Sequence, residues 1–128
     1  MDSKTLLVDL HKAIGQLQGA LQLPADNDVY KAGCIQYFEF SFELAWKTVK
    51  RMAEDEGMVD CNSPKSALKA AFSRGWLQEE EVWLEMLAAR NKMAHTYHAA
   101  EALAIFDNLP RYATALHALV QSLSSINH

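Results

Sequence analysis

Within the stretch LEMLAARNKMAHTYHAAE, residues 84–101, Arg90, Asn91, His95, Tyr97 and His98 are side chains able to bind anions or move protons. An arginine beside a histidine that titrates near neutrality suits phosphodiester chemistry. The guanidinium steadies charge developing on the phosphate, and the imidazole transfers a proton. Spacing alone makes weak evidence for that pairing, because five residues at about 100° each turn His95 roughly 140° away from Arg90 on a regular helix. The weak helix formers of HTYH let the helix end there, and its last turn can then bring His95 back toward Arg90. His95, His98 and Glu101 are loosely spaced for a shared metal and match no tetrahedral ligand pattern. Tyr97 by itself reads as a packed aromatic with its hydroxyl at the surface.

The elements around these residues constrain them. Trp83, Leu87, Arg90 and Ala94 occupy successive turns of one helix face, so Arg90 stands in or beside an apolar stripe. A guanidinium there needs a carboxylate from a neighbouring helix or a phosphate ligand, and on the residues alone the structural ion pair is the stronger reading. Upstream, Leu6, Leu10, Ile14, Leu17 and Leu21 mark a one-faced amphipathic helix that stops near LPADND, after which Asp26 or Asp28 can cap the next. That second segment, from Asp28 toward Gly57, alternates like a strand through Phe38, Phe40 and Phe42. Yet Glu39, Glu43, Lys47 and Arg51 recur every four residues as a charged stripe, and no turn residue bounds a short strand, so it is expected to be a helix. The stripe should include a Glu43–Lys47 pair. Its aromatics spread over more than one side, which predicts a helix central in a bundle or shared with another chain.

NSPKSALKAAFSRG predicts a short helix framed by Ser63 as cap, Pro64 at the first position and Gly75 after the last turn. Glu79, Glu80 and Glu81 open the helix that carries Arg90, where acids favour the positive end of the dipole. In the last segment Phe106, Leu109, Ala113, Leu116, Val120 and Leu123 form a three-four seam, with Pro110 expected to kink or break that helix. The reading is one all-α domain over residues 1–128, an antiparallel up-and-down four-helix bundle with an additional short helix. A length of 128 residues suffices for a core, and 50% hydrophobic residues with five Gly and three Pro suit helices.

A formal net charge of −4 argues against a dedicated phosphate-backbone binder. Lys47, Lys50, Arg51, Lys65, Lys69 and Arg74 can supply weak backbone attraction, with ordinary solvated faces the stronger reading. Cys34 and Cys61 lack metal-ligand spacing, the N-terminus does not resemble a secretory signal, and no apolar run reaches the roughly 20 residues of a membrane span. A cytoplasmic location with free thiols is expected.

Three blocks, FEFSFELAWKTVKR, SRGWL and ARNKMAHTYH, occur in the order found in the nucleotidyltransferase substrate-binding proteins, an all-helical branch of the HEPN superfamily, and the chain resembles that family over nearly its whole length. RNKMAHTY matches the Arg-x4-His-x-Tyr pattern of HepT-like toxins. The resemblance implies that Arg90 and His95 form a metal-independent ribonuclease site supported by Asn91, with no cofactor on this chain. It also implies a homodimer whose motifs face one another across a shared RNA cleft. The implied partner is an MNT-type nucleotidyltransferase antitoxin that uses ATP and Mg to transfer AMP onto Tyr97 (AMPylation). The competing reading is a non-catalytic accessory subunit that holds a nucleotidyltransferase's substrate. A third is a bundle in which Arg90 and His95 serve stability alone.

Overall fold

The computed structural model describes residues 1–24, 26–95 and 98–126, with Ala94 and His95 described by their backbone alone. Five helices account for the secondary structure of these residues: α1 (Ser3–Leu21), α2 (Asp28–Asp55), α3 (Pro64–Ser73), α4 (Glu80–His95) and α5 (Ala99–Ile126). The four long ones form the antiparallel bundle expected from the sequence, and α3 is the additional short helix. α2 touches every other helix, and α1, α2 and α5 pack on one another. α4 leans chiefly on α5 and reaches α2 and α3 at its flanks.

The central place of α2 resolves its strand-like pattern. Phe38 and Phe42 lie one turn apart and are wholly buried, whereas Phe40, on the opposite side, is 52% exposed. An alternation of aromatics is therefore read on a helix as two in and one out. Phe38 stacks obliquely on Tyr112 of α5 with ring centroids 5.3 Å apart, and Phe42 faces Trp83 of α4 at 6.3 Å. This aromatic column joins α2, α4 and α5. Of the expected α5 seam, Leu109, Ala113, Leu116, Val120 and Leu123 are buried as their spacing requires, and Phe106 packs against the core only partly buried.

Local chemistry sets the helix ends. Asp2 accepts the Thr5 N–H at 2.8 Å to start α1. Neither Asp26 nor Asp28 caps α2: Asn27 does, accepting the Tyr30 N–H at 2.8 Å. Asn27 is in the extended backbone conformation that a cap requires, which leaves Asp28 inside the first turn, where its charge meets the dipole. The Tyr30 hydroxyl then closes the α1–α2 corner by donating to the carbonyls of Ala20 and Leu23. Ser63 and Ser66 form a reciprocal capping box ahead of α3, with Pro64 at its first position and Gly75 at φ +74° after its end.

Pro110 does not break α5, which runs through it. Proline removes one backbone donor and crowds the preceding turn at a cost of about 3 kcal/mol. Burial of Leu109, Tyr112 and Ala113 on either side keeps the segment helical against that cost. The Thr114 hydroxyl donates to the Pro110 carbonyl at 3.0 Å.

Candidate functional site

Trp83, buried on α4, fixes the rotation of that helix and so aims Arg90, two turns later, toward α2. There the Arg90 Nε donates to Glu43 Oε1 at 2.7 Å, and Nη2 stands 2.7 Å from the same oxygen. The other carboxylate oxygen of Glu43 accepts the indole N–H of Trp46 at 3.0 Å. Arg90 Nη1 donates to Asn91 Oδ1 at 3.2 Å. The anion that the apolar stripe demanded is thus a carboxylate of the neighbouring helix. The Arg90 and Glu43 side chains remain 30% and 31% exposed, so the pair is partly desolvated but open to an approaching ligand. The expected Glu43–Lys47 pair does not form, because Glu43 turns across the bundle to Arg90 and Trp46 instead of along its own helix.

One turn earlier on α2 stands a second acid. Burial pushes the Glu39 carboxyl above the usual carboxylate range, the like charge of Glu43 pushes it further, and Arg90 opposes both. Glu39 lines a cavity of about 210 Å³, together with Ile35 and Gln36 of α2, Met93 of α4, and Ala102 and Leu103 of α5. The cavity therefore lies where α4 gives way to α5, beside the clasped arginine.

The structure brings Arg90 and Asn91 together. The His95 side chain, Thr96 and Tyr97 lie outside the described residues, and with them the expected return of His95 toward Arg90 and the position of the candidate modified tyrosine. His98, for which the sequence suggested no role, is exposed and precedes α5, its carbonyl accepting the Ala102 N–H at 3.0 Å. Among the described residues no group of three His, Cys, Asp or Glu side chains is placed to hold a metal ion.

A second interhelical clasp escaped the sequence reading. Glu85 of α4 accepts hydrogen bonds from Arg111 and, at 2.7 Å, from the hydroxyl of the buried Tyr112 on α5. The Arg111 and Tyr112 hydrogen bonds hold the Glu85 carboxyl below its usual range. Burial, then the hydrogen bond to Glu85, pushes the Tyr112 phenol well up. Residues 26 or 27 apart leave no local signal of such a contact.

Of the six candidate backbone-binding cations, Lys50 pairs with Glu54 at 3.3 Å, Arg51 with Asp55 at 3.4 Å and Arg74 with Glu56 at 3.0 Å. Lys47, Lys65 and Lys69 make no ion pair among the described residues. Half of the supposed track is therefore neutralised by its own neighbours. No helix among the described residues is long and apolar enough to cross a membrane.

Comparison with known proteins gives a consistent frame. A family model described as nucleotidyltransferase substrate binding protein like matches residues 6–125. A Haemophilus influenzae protein described as probable ribonuclease HepT is 27% identical over 105 residues, covering 79% of this chain and 72% of that protein. The crystal structure of a Thermus thermophilus protein superimposes with a TM-score of 0.79 at 32% identity, over 89% of this chain and 98% of the other. A second structure, from Haemophilus influenzae and described as the fold of a substrate binding domain of a nucleotidyltransferase, superimposes with a TM-score of 0.69. That match spans 95% of this chain and 96% of the other at 23% identity, and it shows the shared fold.

Proposed function

The chain belongs to the nucleotidyltransferase substrate binding protein like family, and within it we propose that the protein is a HEPN-type toxin, a metal-independent endoribonuclease neutralised by a partner MNT nucleotidyltransferase. The observation that carries this reading is the half-open Arg90, held by Glu43 at 2.7 Å in the same stretch as the Arg-x4-His-x-Tyr pattern. Similarity to the protein described as probable ribonuclease HepT supports it.

In this reading His95 draws the proton from an RNA 2′-hydroxyl, whose oxygen attacks the adjacent phosphorus. The bond to the 5′-oxygen breaks, that oxygen leaves as a hydroxyl by taking a proton from water, and a 2′,3′-cyclic phosphate remains. Arg90 stabilises the charge that builds on the non-bridging oxygens, and Asn91 holds one edge of that guanidinium. A homodimer would place two such motifs across one cleft, and Phe40, exposed beside Leu44 on α2, is apolar surface left for a second copy. The partner, using ATP and Mg, would AMPylate Tyr97 and so block the RNA.

Purified protein freed of its partner is expected to cleave single-stranded RNA in the presence of a chelator, and His95→Ala to lose about 10²–10⁴-fold in rate. Equal cleavage by the variant, or none by the wild type, sinks the ribonuclease reading. The family's description favours a second one, a non-catalytic subunit that holds a substrate for the nucleotidyltransferase. Mass spectrometry after incubation with the partner and Mg-ATP separates them. AMP adducts lost in Tyr97→Phe support the toxin, and a stable complex without adducts supports the subunit.

A further inference from the structure

A guanidinium carries five N–H groups arranged as two forked edges, one made by Nε with Nη2 and the other by Nη1 with Nη2. Glu43 takes the first edge of Arg90 through a single oxygen, 2.7 Å from each nitrogen. On the second edge the described contact is one hydrogen bond, from Nη1 to Asn91 Oδ1, and almost a third of the side chain meets solvent. Glu43 is itself held, since Trp46 anchors its other oxygen and its neighbours Phe42 and Ala45 are wholly buried. We propose that Glu43, anchored by the Trp46 indole, is a positioning residue that clamps Arg90 by its Nε/Nη2 edge and so presents the Nη1/Nη2 edge to a phosphodiester of bound RNA. This rests on the reading of Arg90 as the phosphate-binding group.

Binding a phosphate with a free arginine side chain would have to remove most of that side chain's rotamer entropy. The clamp removes it during folding, so the fork meets the ligand already aimed. A bidentate phosphate contact depends on edge direction as well as charge, which is why a carboxylate behind the guanidinium aids an anion in front of it. Glu43 touches neither phosphate nor reacting atoms and acts only through Arg90.

The test uses the full-length protein and a 2′-O-methyl RNA oligonucleotide, which lacks the attacking hydroxyl and reports binding without cleavage. Wild type, Arg90→Ala, Glu43→Gln, Trp46→Phe and the Glu43→Gln/Trp46→Phe pair are compared by fluorescence anisotropy, with circular dichroism to confirm folding. Arg90→Ala and Glu43→Gln are expected to weaken binding by about tenfold or more. Trp46→Phe is expected to weaken it about threefold in the wild-type background and not at all once Glu43 is Gln. The Arg90 Nε–H nuclear magnetic resonance signal, protected from exchange in the wild type, should lose that protection in Glu43→Gln. Unchanged affinity in a folded Glu43→Gln variant overturns the clamp and leaves a structural ion pair. Tighter binding overturns it too, by making Glu43 a competitor of the phosphate. Wild type that binds this oligonucleotide but cleaves no ordinary RNA would sink the ribonuclease reading alone, with the clamp judged by the binding series. Wild type that does not bind sinks both.

Discussion

Among the described residues two arginine–glutamate clasps join one long helix of the bundle to another, and they are built differently. Arg90 reaches from α4 to Glu43 on α2 beside the α4–α5 junction, with a second acid, Glu39, one turn away and a cavity opening alongside. Arg111 reaches from α5 to Glu85 on α4, where Tyr112 completes the carboxylate's bonding, and its side chain is 46% exposed against 30% for Arg90. The second clasp is a latch between neighbouring helices, its acid below its ordinary range and its phenol above. At the first, burial and the like charge of Glu43 favour a carboxyl proton on Glu39, against the opposing charge of Arg90. The same pair of residue types is thus a fastening in one place and, beside a cavity and a half-open guanidinium edge, a candidate site in the other.

The largest expected separation between the two is in activity. Arg90→Ala should lose about 10²–10³-fold in RNA cleavage, as for loss of a group that stabilises transition-state charge, whereas Arg111→Ala should stay within about twofold of wild type. A fluorogenic RNA assay reads both. In stability, Glu43→Ala strands a partly buried guanidinium and is expected to cost about 1–2 kcal/mol in urea denaturation. That is less than for a fully buried pair, because roughly a third of it stays in water. Tyr112→Phe, which removes the phenol donor to Glu85 from a buried position, should cost about 1 kcal/mol in the same experiment and leave cleavage intact.

The smallest effect is one of sign. The folded pKa of Glu85 is depressed, so its contribution is present above the unfolded value of about 4.3 and fades as pH falls through the folded one. The folded pKa of Glu39 is raised, so charging it opposes folding, and stability is lost as pH rises through that range. Glu85→Gln should therefore be less stable than wild type near neutrality and converge with it in acid. Glu39→Gln should be slightly more stable near neutrality and also converge in acid. Denaturation midpoints across pH 3–8 that moved both variants the same way would contradict the contrast drawn between the two clasps.

How much could be read from the chain differs between elements for physical reasons. The frame of α3 was legible to the residue, since Ser63, Pro64 and Gly75 act on backbone groups within one turn of themselves. The seam of α5 was legible because burial repeats with the helical period. The α2 cap was misplaced by one residue because Asp26, Asn27 and Asp28 are all competent caps, and the choice fell to whichever took up the extended backbone. Of the kink or break expected at Pro110, the break is absent for the opposite reason: the local penalty is real, and packing on both sides outweighs it.

At the candidate site the sequence by itself established a need and a motif. An arginine in an apolar stripe must find an anion, and the order Arg90, Asn91, His95, Tyr97 carries the family resemblance. Tertiary structure alone decided that the anion is Glu43, that Trp46 anchors it, and that Glu39 shares the neighbourhood. Those residues stand 44 to 51 positions from Arg90 in the chain, so nothing in local spacing distinguishes Glu43 from the other acids of its stripe. Only the packing of α2 against α4 and α5, set by Phe38, Phe42, Trp83 and Tyr112, turns that one carboxylate toward the guanidinium.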